Sequence, residues 1–366
     1  MSLQQAMLWQ KLHDKNLTSG DMPINKALDT PWYVQLMVGL VAWWSAFFFL
    51  GLIASALHFI LDNNAFAILF GIMLIAIAYR LFVQNQVSTF RYQFALALSL
   101  AGQGLFIFGL FDFAFSHGHR GDNQLITVLW VLFVFESMLA WIMPSMIHRF
   151  GSALAAGLTL SFTLAYAQLY FMHAAILFTV IATIWLNEFN WVKHRERLIP
   201  IGYGLTIALI YQEVMASFYH TFIHIMKNWL KMEQSWLPYW VAELLIGGIM
   251  LWVVWQLLQR NNVSTRSQTG ILALFASTVV IVLSTQAPGL AVGLSLIILG
   301  YANGARMLLS LGIVSLLFYI SSYYYSLDMS LLEKAQILAV FGSILLLISW
   351  VMSKKFQPKQ ENTHAA

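Results

Sequence analysis

Glu136 stands near the middle of an otherwise apolar stretch, Leu125 to Met143, and Gln103 lies at a comparable depth in the apolar stretch before it. A charged group at such a depth costs about 2.5 to 3.5 kcal/mol on insertion scales, so it calls for a compensating role. Two roles suit Glu136: a protonatable carboxylate in an ion or substrate path, or a protonated acid hydrogen-bonded to Gln103, Ser137 or a backbone carbonyl. A second group, Asp112, His117, His119, Glu213, His220, His224 and Glu243, gathers at one set of ends of the apolar stretches. His220 and His224 are spaced i and i+4, so on a helix they share a face and could ligate one metal ion, with Glu213 or Asp112 as an oxygen ligand. The residues between them are Thr221, Phe222 and Ile223, without the Glu of a metalloprotease HExxH helix. Glu213, His220, His224, Lys227 and Lys231 equally form the polar stripe of an amphipathic segment lying in a membrane interface. No metal is therefore assigned, and no cofactor is expected.

Other chemistries are excluded more simply. The chain has no cysteine, which removes disulfides, thiol catalysis and Cys-type metal sites. It has no phosphate-cradling Gly loop with a Lys, no nucleophile elbow and no dinucleotide fingerprint, so a nucleotide is not an expected partner. Lys and Arg outnumber Asp and Glu by 19 to 15, yet they stand singly in short loops and make no contiguous patch, so nucleic acid is not expected either. Near the C-terminus, Tyr323-Tyr324-Tyr325-Ser326-Leu327-Asp328 runs into Met329-Ser330-Leu331-Leu332-Glu333-Lys334. Ser330 and Glu333 have capping-box spacing for a following helix, whose positive end also favours Asp328 and Glu333.

The elements that must carry these residues follow from composition. Hydrophobic residues make up 60% of the 366 and charged residues 9%, against about 25% charged in ordinary globular proteins. So few charges cannot cover a water-facing surface. Apolar runs long enough to cross a hydrocarbon core recur from Tyr33 onward, and they must be helical because lipid offers peptide groups no hydrogen-bond partner. Twelve spans result: Tyr33 to Leu61, Ala65 to Tyr79, Phe94 to Phe111, Leu125 to Met143, Gly151 to Tyr170, Ala174 to Glu188, Leu198 to Tyr219, Tyr239 to Leu258, Thr269 to Ser284, Ala287 to Ala302, Met307 to Tyr325 and Ala335 to Met352. Asp62-Asn63-Asn64, Pro144 and Ala287-Pro288-Gly289 mark sharp boundaries. The nearly continuous run from Gly151 to Glu188 would be about 57 Å long as one helix, too long for one crossing, and is divided at Phe171-Met172-His173.

The expected architecture is thus an all-α, polytopic transmembrane helix bundle of about twelve helices with both termini in the cytoplasm. Under it, residues 1–31 form a cytoplasmic tail, 32–352 the membrane domain and 353–366 a disordered cytoplasmic tail. With this count only Arg120, Lys227, Lys231 and Lys334 of the 19 basic residues face away from the cytoplasm. A miscounted helix in the middle would exchange the sides of every later loop. Trp32, Trp141, Trp191, Trp236, Trp240 and Trp350 fall near the predicted interfaces, where the indole ring is favoured. Ser2 and Gln5 resemble a capping box for a short helix over residues 2 to 13 on the membrane surface. The first thirty residues carry mixed charges and show no removable signal peptide. Gly51 with Ser55, Gly151 with Ala155, Gly289 with Gly293 and Gly300 with Gly304 have the small-xxx-small spacing of close helix contacts.

Leu8-Trp9-Gln10-Lys11-Leu12, Pro31-Trp32-Tyr33-Val34, Ser99-Leu100-Ala101-Gly102-Gln103-Gly104 and the Tyr-rich segment ending in Leu-Asp-Met-Ser-Leu-Leu-Glu-Lys resemble, over nearly the whole chain, a bacterial family. It is catalogued as a domain of unknown function, a multi-pass membrane protein often encoded beside the membrane protein named for its GDYXXLXY motif. The resemblance implies a bacterial inner-membrane location and a membrane-protein partner besides the lipid bilayer; it brings no catalytic residues. Three classes of function remain: a noncatalytic component of an envelope assembly or sensing system, a secondary transporter or channel using Glu136, and a membrane enzyme with an outward-facing His and acid site. The first is placed foremost, since no enzyme motif is present and no sequence repeat between halves supports a transporter.

The sidedness is open to direct measurement because the chain lacks cysteine. In intact cells an impermeant maleimide is expected to label a Lys227→Cys variant and to spare Lys193→Cys until the membrane is permeabilised; the opposite pattern would invert the bundle.

Overall fold

A computed structural model describes residues 63–84, 89–115, 122–167, 172–217, 239–285 and 287–326, Leu169, and isolated residues within 9–15, 37–55 and 330–343. Its regular structure among these residues is helical, and each helix falls on one of the apolar stretches. The chain divides into two compact units, residues 1–113 and 114–366.

In the first unit, α1 (Asn64–Val83) starts where the Asn63 side chain accepts from the Ala65 and Phe66 amides, satisfying two donors that the first turn leaves open. α2 (Thr89–Phe115) runs against it. A Cβ on Gly71 would lie 2.6 Å from the Gly102 carbonyl oxygen, and one on Gly102 would lie 2.6 Å from the Gly71 oxygen. Backbone meets backbone there, and again at Gly109, whose Cβ would stand 2.9 Å from the Asn64 oxygen. The described residues of the first expected span are helical, and Met37, Trp44 and Phe48 among them are exposed. Trp9, Gln10, Lys11 and His13, which fall in the range 2 to 13, are helical too, as is Asp14 just beyond it.

The second unit contains α3 (Asp122–Ile142), α4 (Met146–Tyr166), α5 (Met172–Leu186), a 3-10 turn (Val192–His194), α6 (Arg195–Ser217), α7 (Tyr239–Arg260), α8 (Gln268–Ser284), α9 (Leu290–Ala302) and α10 (Arg306–Ser326). Pro144 separates α3 from α4, and Ser145 caps α4 by accepting from the His148 amide. That cap starts α4 five residues before the expected Gly151, so its 21 residues are spent by Tyr166, ahead of the expected break. α5 is apolar on all sides and accordingly central. It packs against α4, α6, α7 and α9, with Phe178, Ile181 and Trp185 in the core.

α1, α2, α3, α6, α7 and α10 are long and apolar enough to cross a bilayer, and α5, α8 and α9 are shorter apolar helices. Their outward residues are large and hydrophobic, as at Phe275, Val282 and Leu317, the surface that hydrocarbon rather than water solvates. The chain is an all-α, multi-pass membrane protein.

Two interruptions of the helical hydrogen-bond ladder are repaired by side chains from elsewhere. Pro200, inside α6, has no N–H to give the Glu196 carbonyl four residues earlier. The Arg149 guanidinium of α4 donates to that carbonyl instead, at 3.2 Å. At the end of α5 the Trp185 carbonyl accepts from Asn303 Nδ2 at 2.8 Å, while Asn303 Oδ1 accepts from Arg260 Nη1 at 3.0 Å. Asn303 follows α9 and Arg260 ends α7, so one amide ties three helix ends together. Buried hydroxyls within the helices are satisfied locally: those of Ser161, Thr206 and Ser295 donate to the carbonyl four residues back.

The small-residue pairs read from sequence behave unequally. A Cβ on Gly51 or Gly151 would meet nothing within 4 Å, whereas those on Gly289, Gly293 and Gly300 would strike residues of α10. Gly71→Ala is accordingly expected to destabilise the purified protein by about 1 to 3 kcal/mol, and Gly151→Ala to change it by less than about 0.5 kcal/mol. Thermal or denaturant unfolding in detergent, followed by tryptophan fluorescence, measures both.

Candidate functional site

The ends of α6, α7, α8, α9 and α10 converge on a buried polar cluster in the second unit. Glu213 lies four residues before the end of α6, and Glu243 lies four residues into α7, each about 6 Å inside its helix end. They are 2% and 5% exposed. The two carboxyl groups act electrostatically on one another, and both act on the Tyr319 hydroxyl of α10.

Each side chain is held by a neighbouring helix. Glu243 Oε2 accepts from the hydroxyl of Ser284, the last residue of α8, at 2.6 Å, and Ser284 is fully buried. This is a short bond of the kind a carboxylate forms with a hydroxyl donor. Tyr319 is 1% exposed; its hydroxyl donates to the Ile210 carbonyl of α6 at 3.4 Å and is hydrogen-bonded with Ser315 one turn earlier. The Tyr319 ring in turn rests on Gly289, where an added Cβ would come within 2.8 Å of the ring. Gly289 has φ +89°, in the left-handed region that favours glycine, and it starts α9. Conformation and contact both require glycine at this turn.

Glu136 occupies a separate buried position. It is 3% exposed on α3 and hydrogen-bonded to Ser152 of α4. Ser152 Oγ lies 3.4 Å from His148 Nδ1 on the same helix. The remaining carboxylate oxygen, Glu136 Oε2, is buried with no hydrogen-bond partner. The bond thus goes to Ser152, which was not among the partners expected from sequence.

Apart from Glu136, the residues singled out from sequence separate into three sets. Glu213 and Glu243 are brought together. Gln103 and Asp112 belong to the first unit, on α2, where Gln103 is buried and Asp112 half-buried. His117, His119, His220 and His224 lie outside the described residues, as does the predicted stripe beyond Tyr219. Among the described residues no three His, Asp or Glu side chains gather in a way that could hold a metal ion.

Ser284, Tyr319 and the Ser152–His148 pair escaped the sequence reading, which held Gly289 as a turn and a helix contact but not as the seat of the Tyr319 ring. A lone Ser at a helix end or a Tyr in an aromatic-rich span carries no pattern of its own. The available signals are the His148/Ser152 spacing of four, which places both on one face, and the Pro288-Gly289 turn.

A family described as "Domain of unknown function (DUF4401)" matches residues 31–355. No curated protein and no solved structure matches the chain.

Removing the Ser284 hydroxyl leaves a buried carboxylate oxygen without its donor. Ser284→Ala is therefore expected to cost about 1 to 3 kcal/mol, and to cost markedly less in a Glu243→Leu background, where the acceptor is gone. A double-mutant cycle of unfolding in detergent reads the coupling.

Proposed function

Since the chain belongs to the family described as a domain of unknown function, DUF4401, and that description assigns no activity, we propose from the chemistry of the second unit that the protein conducts protons or small cations across the membrane. The observation that carries this reading is the buried Glu213–Glu243 pair. Two carboxylates facing one another away from water repel unless a proton or a cation sits between them. A fold with a purely structural need could fill the same volume with apolar side chains at lower cost.

The setting supports exchange of that ion. The pair lies about one turn inside the described ends of α6 and α7, and its holders Ser284 and Tyr319 sit on two further helices. Small relative movements of α6, α7, α8 and α10 therefore alter the coordination of the site. Glu136, with one unpartnered oxygen and a Ser152–His148 connection toward the start of α4, supplies a second protonatable stop. The assembly or sensing reading placed foremost from sequence gains no comparable feature among the described residues. A bacterial inner-membrane location, and a membrane-protein neighbour of the GDYXXLXY kind, are compatible with conduction.

The full-length protein reconstituted in liposomes tests this. A potassium diffusion potential should drive proton uptake, or 22Na+ uptake, well above that of empty vesicles. Glu213→Gln and Glu243→Gln keep the shape and remove the charge, and each is expected to cut the flux at least about tenfold. Wild-type vesicles no leakier than empty ones to either ion would overturn the proposal, as would unchanged flux in both variants.

A further inference from the structure

At the junction of α3, α4 and α6, cationic side chains are held together with little to neutralise them. The exposed segment Phe189-Asn190-Trp191-Val192-Lys193-His194-Arg195-Glu196-Arg197 leads into α6. Within it Arg195 is neutralised by Glu188, at 3.0 Å. Arg197 is not so paired: its guanidinium stands 5.9 Å from the centre of the Trp141 ring, and the His194 ring stacks on the same indole at 6.0 Å. Arg149 lies close enough for Arg197 to repel it, with Glu196 as the opposing charge.

Arg149 is more than nine-tenths buried, and one of its donors is used on the Glu196 carbonyl, but its Nε has no hydrogen-bond partner. Two guanidinium groups therefore converge with one exposed acid, Glu196, beside them, Lys193 stands in the same exposed turn, and one buried donor is unspent. The rim is apolar: Ile142, Met146 and Ile147 are 50%, 58% and 51% exposed, beside the half-exposed Trp141. A soluble anion would have no use for that rim. A molecule with a phosphate head and hydrocarbon chains satisfies both parts at once, since guanidinium matches phosphate oxygens and an indole belongs at headgroup depth.

We infer that Arg149, Arg197, Lys193 and Trp141 form a binding site for the headgroup of an anionic phospholipid. The site is independent of the carboxylate pair: it lies where α3 ends and α6 begins, whereas Glu213 and Glu243 lie at the opposite end of α6 and the start of α7. It anchors the turn before α6, in whose first turn Pro200 leaves the Glu196 carbonyl to Arg149.

Native mass spectrometry of the full-length protein, titrated in detergent with phosphatidylglycerol and with phosphatidylcholine, measures the preference. The wild type is expected to retain phosphatidylglycerol more tightly. Arg197→Gln, an exposed change, is expected to weaken that binding by about fivefold, the worth of one basic residue at a lipid surface. Arg197→Lys keeps the charge, loses the planar fork and should fall between. Arg306→Gln, at the start of α10, is the control for general loss of positive charge and should leave the preference intact. Equal retention of both lipids by the wild type would overturn the inference, as would an Arg197→Gln variant that binds like wild type. Displacement of phosphatidylglycerol by millimolar inorganic phosphate would also overturn it, since the site would then serve a free anion.

Discussion

A peptide group in hydrocarbon has no water to bond, and this protein's structure is arranged around that constraint. Helices answer it along their length, but not where the ladder is cut. Pro200 cuts it inside α6, and α4 supplies Arg149. The end of α5 cuts it at Trp185, and Asn303, itself held by Arg260, supplies the missing donor from beyond α9. These repairs are what fix one helix against another, because apolar contact alone distinguishes poorly between a helix and a lipid tail. Arg149 thus acts as a partner for backbone, and Arg260 as the support of one.

The same constraint gives weight to the polar groups placed deep within the bundle. Serine and threonine hydroxyls that donate back to their own helix cost little and mean little. Glu213, Glu243 and Glu136 cannot be satisfied in that way, since a carboxylate only accepts. Ser284 and Ser152 provide donors from neighbouring helices. Such arrangements hold an acid in place without neutralising it, in contrast with Glu188, whose partner Arg195 cancels its charge.

Helix positions were legible in the sequence because hydrophobic runs and their breaks are one-dimensional facts. Asn63, Pro144 and the Pro288-Gly289 turn end or start helices where their chemistry says they must. Contacts between helices were not legible to the same degree. Gly151 and Ala155 have the spacing of a close contact and Gly151 has none, while Gly71, Gly102 and Gly109 form one without having been singled out. Spacing shows which residues share a face and says nothing of what that face meets. For the acids, sequence showed that Glu213 and Glu243 fall at the same set of ends; it could not show that they turn inward, nor that Ser284 and Tyr319 wait there. The difference lies in tertiary geometry, since Ser284 is 41 residues from the carboxylate that it holds.

Gly289 has a mechanical consequence. The Tyr319 ring lies against its backbone, and the Tyr319 hydroxyl reaches the Ile210 carbonyl on α6, so the ring works as a strut between the α9 turn and α6. With no side chain to cushion the contact, displacement of the turn passes to the ring without slack. The strut bears on α6 one turn from Glu213, so the distance between the Pro-Gly turn and the carboxylate pair is set by the length of one tyrosine ring.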